Sequence, residues 1–170
     1  MVSDAFHYNL DLCPTVADLF NIPHYKKWDG KSFAETLKSG TKSGHDYLVL
    51  SQCAHTLMRS VRFDKYIYIK VYFDGFHPFK SEMLFNVETD FHEQNNLAEH
   101  SPEICARGAR LLSEWHDNQM LKSEYGIDPL LTVHAEGGPT HTKNCLETFC
   151  KRLEETGRQN YAAELRKKYS

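Results

Sequence analysis

The sequence lacks any long apolar run. Its richest stretch of strand-forming residues, Tyr66–Phe73, is interrupted by Lys70 and falls far short of a membrane span. Charge of one sign is also lacking: 20 Lys and Arg stand against 23 Asp and Glu, a formal net charge of −3. No global basic field therefore points to nucleic acid or to an anionic membrane. Internal repeats and low-complexity linkers are absent, which excludes a solenoid or a tethered array. The opening Met1-Val2-Ser3-Asp4 has neither the basic nor the apolar region of a secretory leader, and a cytoplasmic location is the expectation. The five cysteines (Cys13, Cys53, Cys105, Cys145 and Cys150) are odd in number, irregularly spaced and without a Cys-x-x-Cys pair. That argues against a disulfide framework or a zinc knuckle and for a reduced chain. Ten histidines are present, yet none form His-x-x-x-His, so the helical metal pair is missing as well.

What is there is enough for one domain with a real core: 170 residues, 41% of them hydrophobic. The first segment, around Leu12, Val16, Leu19 and Phe20, reads as a short helix with one apolar side that needs something to pack against. Pro23 ends it, and 32–37 can add a helical turn or two. Four strand candidates follow at 47–51, 56–63, 65–73 and 82–88, each rich in β-branched or aromatic residues. In the third, Ile67, Ile69, Val71 and Phe73 alternate with Tyr66, Tyr68, Lys70 and Tyr72, which predicts a sheet with one dry and one half-wet face. Phe63-Asp64-Lys65 is short enough for a tight hairpin. Ser101-Pro102-Glu103 opens a long helix over 102–122, with Ser101 as N-cap and Pro102 at the first position. Its stripe of Ile104, Leu111, Leu112 and Trp115 is expected to cover the dry side of the sheet. A glycine loop, Glu136-Gly137-Gly138-Pro139-Thr140-His141, then leads to two helices split near Gly157. Strands followed by helices define an α+β fold: a four-stranded antiparallel sheet packed by a long helix, within a single domain over 1–170. Residues 1–45 form its leading helix and linker, 46–122 the sheet and long helix, and 123–170 the helical tail.

Several of these stretches, in this order, resemble the C-terminal subdomain of bacterial sulfatases, the arylsulfatase-like branch of the alkaline phosphatase superfamily. Asp11-Leu12-Cys13-Pro14-Thr15 is similar to that family's Asp-x-x-Pro-Thr helix, and Asp29-Gly30-Lys31-Ser32 to the turn that follows it. Arg59-Ser60-Val61-Arg62 and Lys65-Tyr66-Ile67 resemble its strand pair. Asp90 to Ala98, with Glu93 and Asn95-Asn96-Leu97, resembles its Asp-Pro-x-Glu-x-x-Asn-Leu segment, although Phe91 replaces the usual Pro. The tail, with Asp128-Pro129-Leu130 and the glycine loop to His141, looks like one bacterial subgroup.

That resemblance implies a sulfuric ester hydrolase whose nucleophile is a formylglycine made from a Cys/Ser-x-Pro-x-Arg motif, aided by a divalent cation, calcium by the family's habit. The sequence contains no such motif: Cys13 is followed directly by Pro14, and position 17 is Ala. Catalytic residues and metal ligands are therefore expected from elsewhere, and the chain alone is expected not to turn over sulfate esters. The resemblance also implies that residues 1–45 pack on the missing N-terminal catalytic domain; without it, Leu12, Val16, Leu19 and Phe20 are expected to drive self-association. Substrate contact within an intact enzyme, with a sulfated small molecule or sugar as the partner, falls to His55, Arg59, Arg62, His134 and His141. The two arginines supply a cationic rim and the histidines flank loop ends. Asp90, Glu93 and Asn96 read as structural, because short polar side chains satisfy backbone amides in a turn. Two other readings stand beside this one: a non-catalytic anion-binding or oligomerisation module, and the tail of a related phosphodiesterase or phosphonate hydrolase.

Overall fold

A computed structural model describes residues 4–41 and 43–170; the leader reading of residues 1–3 lies outside the described residues. The chain divides into two compact units, Met1–Leu48 and Val49–Ser170.

The first unit is organised by one carboxylate. A 3-10 turn, Asn9–Asp11, runs into helix α1, Leu12–Leu19, and a second short helix, α2, spans Ala34–Ser39. Asp11 is fully buried. It accepts the backbone amides of Tyr8 at 2.8 Å and Lys31 at 2.7 Å, and His45 Nε2 lies 3.0 Å from Oδ2. Thr15 donates to the carbonyl of Asp11 at 2.6 Å and accepts the amide of Phe33 at 3.0 Å. The Asp and Thr of Asp-x-x-Pro-Thr thus tie the helix to the segment after it. Gly30 completes the join, since a Cβ there would lie 2.1 Å from the carbonyl oxygen of Leu10. The side of α1 that packs is Pro14, Thr15 and Ala17. The apolar side expected to pack, Leu12, Val16, Leu19 and Phe20, stands 41–71% exposed.

The second unit carries a four-stranded sheet in the order β1-β2-β3-β4, from Leu48–Gln52, Leu57–Phe63, Tyr66–Phe73 and Glu82–Asn86. Strands β2 and β3 pair antiparallel and meet in a two-residue turn in which Asp64 takes a left-handed φ of 45°. Arg62 braces that turn by donating to the carbonyls of Phe63 and Tyr66, each at 3.2 Å, and to that of Asp64.

Helix α3, Pro102–Lys122, crosses the sheet, with Ser101 as N-cap. The cap works through the Ser101 carbonyl, which accepts the amides of Ile104 and Cys105, and not through its hydroxyl. The face it covers corrects the expectation from sequence. Cross-strand partners Val61, Tyr68 and Leu84 are buried on one side, and Gly108 of α3 lies directly on the Tyr68 ring. The helix therefore sits on the tyrosine face and not on the face of Ile67, Ile69 and Val71, and its buried positions are Cys105, Gly108 and Leu112. A tyrosine can be buried this way because its ring is apolar and its hydroxyl finds a partner. Here Tyr68 donates to Glu82 Oε1 at 2.6 Å. Alternation identifies two faces of a strand; it does not say which one the helix takes.

A short helix, α4, Pro129–Ala135, was not foreseen. It is followed by α5, Leu146–Glu155, and α6, Gln159–Lys168, which close a second core around Phe76, Cys150, Leu153, Ala162 and Leu165. The buried Asp74 accepts the Phe76 amide at 2.9 Å and bonds both Lys168 and Tyr169.

Gly108→Ala tests the helix placement. Alanine raises helix propensity by about 1 kcal/mol. The added Cβ would lie 2.6 Å from both Cβ and Cγ of Tyr68, a contact with the root of a buried side chain that cannot swing away. Overpacking of this kind costs about 1–3 kcal/mol, so the clash prevails. The denaturant midpoint is expected to fall; a rise would show that α3 does not ride on Tyr68.

Candidate functional site

Of the residues singled out from sequence, the structure brings His55 and His141 together. Their rings lie 5.0 Å apart between centroids, tilted by 33°. His55 sits in the turn between β1 and β2, and His141 follows the glycine loop, where Gly137 and Gly138 take left-handed φ values of 91° and 99°. Thr142 joins the two segments by donating to the carbonyl of His55 at 3.5 Å and to that of Pro139 at 3.1 Å. Both rings are exposed, so the pair forms a small aromatic, titratable ledge at the end of the sheet. His134 stands exposed on the last turn of α4. Arg62 is engaged by the hairpin carbonyls.

Arg59 is the largest departure from the cationic rim. It points inward from the middle of β2 and is buried, with only 6% of its surface exposed. Its guanidinium donates to Asp128 Oδ2 at 2.8 Å and Oδ1 at 3.0 Å, a two-pronged pair, and to the Ser51 hydroxyl at 3.2 Å. It also stacks 5.0 Å from the ring centre of Trp115. Asp128 in turn accepts the amide of Leu130 at 3.0 Å and so caps α4. His116 Nε2 is buried 3.3 Å from Asp128 Oδ2, within ion-pair reach but without hydrogen-bond geometry. The Arg59 hydrogen bonds hold the Asp128 carboxyl below the usual carboxylate range, against the opposing pull of burial. Sequence reasoning missed Asp128 and Trp115 as partners of Arg59, and His116 as a neighbour of Asp128. The one available signal was Asp128-Pro129, an N-cap followed by a first-turn proline.

Beside this cluster, between the sheet and α3, opens a cavity of about 310 Å³. Tyr68, Lys70, Tyr72 and Glu82 line it from the sheet, and Leu112 and Ser113 from the helix. Lys70 pairs with Glu82 at 3.1 Å. The Tyr68 hydroxyl, then Lys70, keep the Glu82 carboxyl below its ordinary range.

The family's formylglycine and divalent cation find no fitting donors here. Among the described residues, no three His, Cys, Asp or Glu side chains gather as a metal ion requires. The arrangement offers hydrogen-bonding side chains around a shaped cavity. None of the helices is long and apolar enough to cross a membrane among the described residues.

The fold defines an α+β unit of the type that sulfatases carry. The chain is similar to the structure of BT1596, a 2-O GAG sulfatase, at 27% identity and a TM-score of 0.55, over 68% of this chain and 25% of that one. It is also similar in fold to BT4656, solved with D-glucosamine-2-N,6-O-disulfate, at 18% identity and a TM-score of 0.54, over 68% of this chain and 25% of that one. No family model matches the chain, and no curated protein matches it. The chain spans about a quarter of the length of these solved sulfatase structures.

The buried pair makes a pH prediction. A carboxyl held below its unfolded value releases its proton more readily in the folded chain. The stability contributed by Asp128 is therefore complete above the unfolded pKa of ~3.9, and is lost as pH falls through the lower folded value. Asp128→Ala, which strands a buried guanidinium, is expected to cost about 3–5 kcal/mol at neutral pH. In Asp128→Asn the corresponding part of the acid-induced loss is expected to vanish. Denaturant titrations at several acid pH values check this, and parallel profiles for the two proteins would contradict it.

Proposed function

We propose that this chain acts as the cleft-lining subdomain of a sulfatase, a sulfuric ester hydrolase, and contributes contacts to a sulfated substrate while the reaction is carried by a catalytic domain it does not contain. The observation that carries this reading is the shared fold and 27% identity with a 2-O GAG sulfatase over 68% of the chain. The sequence holds no Cys/Ser-x-Pro-x-Arg motif, and on this reading the formylglycine belongs to the catalytic domain.

Within this reading the His55–His141 ledge makes the substrate contact. Its rings are exposed, adjacent and carried by loops, where binding groups concentrate on a rigid scaffold. Each imidazole can donate to a sulfate oxygen or to a sugar hydroxyl. Arg62 and His134 serve as outer cationic or polar groups. Arg59 is a positioning residue, because its guanidinium is spent on Asp128 and fixes the approach to α4 and the glycine loop.

The exposed row of Leu12, Val16, Leu19 and Phe20 is the docking surface for the catalytic domain. In its absence a second copy of this chain covers the row. The pure chain is expected to give a blank with a chromogenic aryl sulfate, and clear turnover would overturn the assignment. Sedimentation at rising concentration should show association that Phe20→Asp weakens. A well-behaved monomer at high concentration would remove the docking role from this row.

A further inference from the structure

We propose that the cavity between the sheet and α3 binds a neutral, polyhydroxylated six-membered ring, such as an unmodified pyranose. The inference is independent of the sulfatase reading, since it concerns neither the histidine ledge nor a sulfate group.

Three observations select this chemistry. At about 310 Å³ the cavity stands at the small end of ligand sites, room for a single ring and not for a chain of them. Its charges cancel in place: Arg59 is matched by Asp128 and Lys70 by Glu82, and both carboxylates form part of the wall. An entering anion would meet two carboxylates, with Arg59 and Lys70 already paired and His116, the remaining basic group of the wall, set 3.3 Å from Asp128 Oδ2, which disfavours sulfate or phosphate. The walls are nonetheless not purely apolar. Among the described residues the hydroxyls of Tyr72 and Ser113 make no hydrogen bond, and an apolar guest would bury them without partners. What remains is a guest with an apolar face for Tyr72, Leu112 and Leu131 and a hydroxylated edge for Tyr72, Ser113 and the Lys70–Glu82 pair. Tyr72 and Leu131 are 39% and 43% exposed at this cavity, large apolar surfaces that such a ring would cover.

Saturation-transfer NMR on the full chain tests this, with methyl β-D-galactopyranoside and methyl β-D-glucopyranoside as probes and inorganic sulfate as competitor. Transfer to the ring C–H protons of at least one probe is expected at ~1–10 mM, the range of a weak single-ring site. Tyr72→Ala and Ser113→Leu should each weaken it by ~5-fold or more, about 1 kcal/mol. Sulfate at equal concentration should leave it unchanged. Both positions are solvent-exposed, and circular dichroism verifies that each variant is folded. If Tyr72→Ala does not fold, Tyr72→Phe keeps the ring, removes the hydroxyl and takes its place with the same expected direction. No transfer to either probe with a folded chain would overturn the proposal. So would transfer unchanged in the folded variants, or displacement by sulfate.

Discussion

The pair between Arg59 and Asp128 joins parts of the chain that have no other reason to meet. One side chain comes from the middle of a strand and the other from the residue that starts α4, 69 positions later. A guanidinium and a carboxylate removed from water demand each other, because either one left alone would be far costlier than the pair. The carboxylate has a second task, accepting the amide of Leu130, so the same group that neutralises the arginine also starts the helix. Trp115 covers the guanidinium from α3, which brings the sheet, the long helix and α4 to one point. The direction of the glycine loop, and with it the meeting of His141 and His55, follows from where α4 begins. The paired charges also form one wall of the cavity and make that wall electrically neutral.

Much of the architecture was legible in the residues. Alternation through Tyr66–Phe73, the two-residue turn at Asp64-Lys65 and the Ser-Pro opening of α3 gave the strands, the hairpin and the long helix nearly to the residue. What could not be read was choice of face and choice of partner. Four aliphatic and aromatic residues on one side of β3 looked like the natural seat for a helix, yet Gly108 lets α3 settle on Tyr68 instead. Arg59 looked like a surface cation because nothing local marks it as buried; its partner lies far along the chain, and a single sequence carries no record of that contact. The same distance hid the pairing of His55 with His141, although each had been singled out separately. Helix α4 is a different case. Its Asp-Pro start was visible and was read as part of the tail's likeness to one bacterial subgroup.

The segments that resemble sulfatases turn out to share one physical job. Asp11 gathers two backbone amides and a histidine. Asp90 accepts the amides of Gln94 at 3.1 Å and Asn95 at 2.8 Å. Asn96 accepts from Leu84 and Ala98 and donates to the carbonyl of Glu82, so its side chain extends the edge of β4 as a strand would. These are short polar side chains that satisfy backbone groups where regular structure stops. The expectation that Asp90 and Asn96 are structural agrees with these bonds. Glu93 supplies a left-handed φ of 54° in the same loop, and the exposed Phe91 shows why a residue other than Pro is tolerated there. Likeness of this kind follows loop geometry, so it reports fold more directly than chemistry.

The Asp74 carboxylate has a bearing on the order in which the molecule comes together. It sits at the end of β3, yet two of the groups that satisfy it, Lys168 and Tyr169, are 94 and 95 residues further along. During synthesis the sheet can form its hairpins as they emerge, since those contacts are local. Asp74 must wait, held meanwhile by the amide of Phe76 alone, until residue 169 has been made. The helical hairpin of α5 and α6 thus closes over a carboxylate presented by the sheet, and the bonds at that seam cannot be complete before residue 169 has been made.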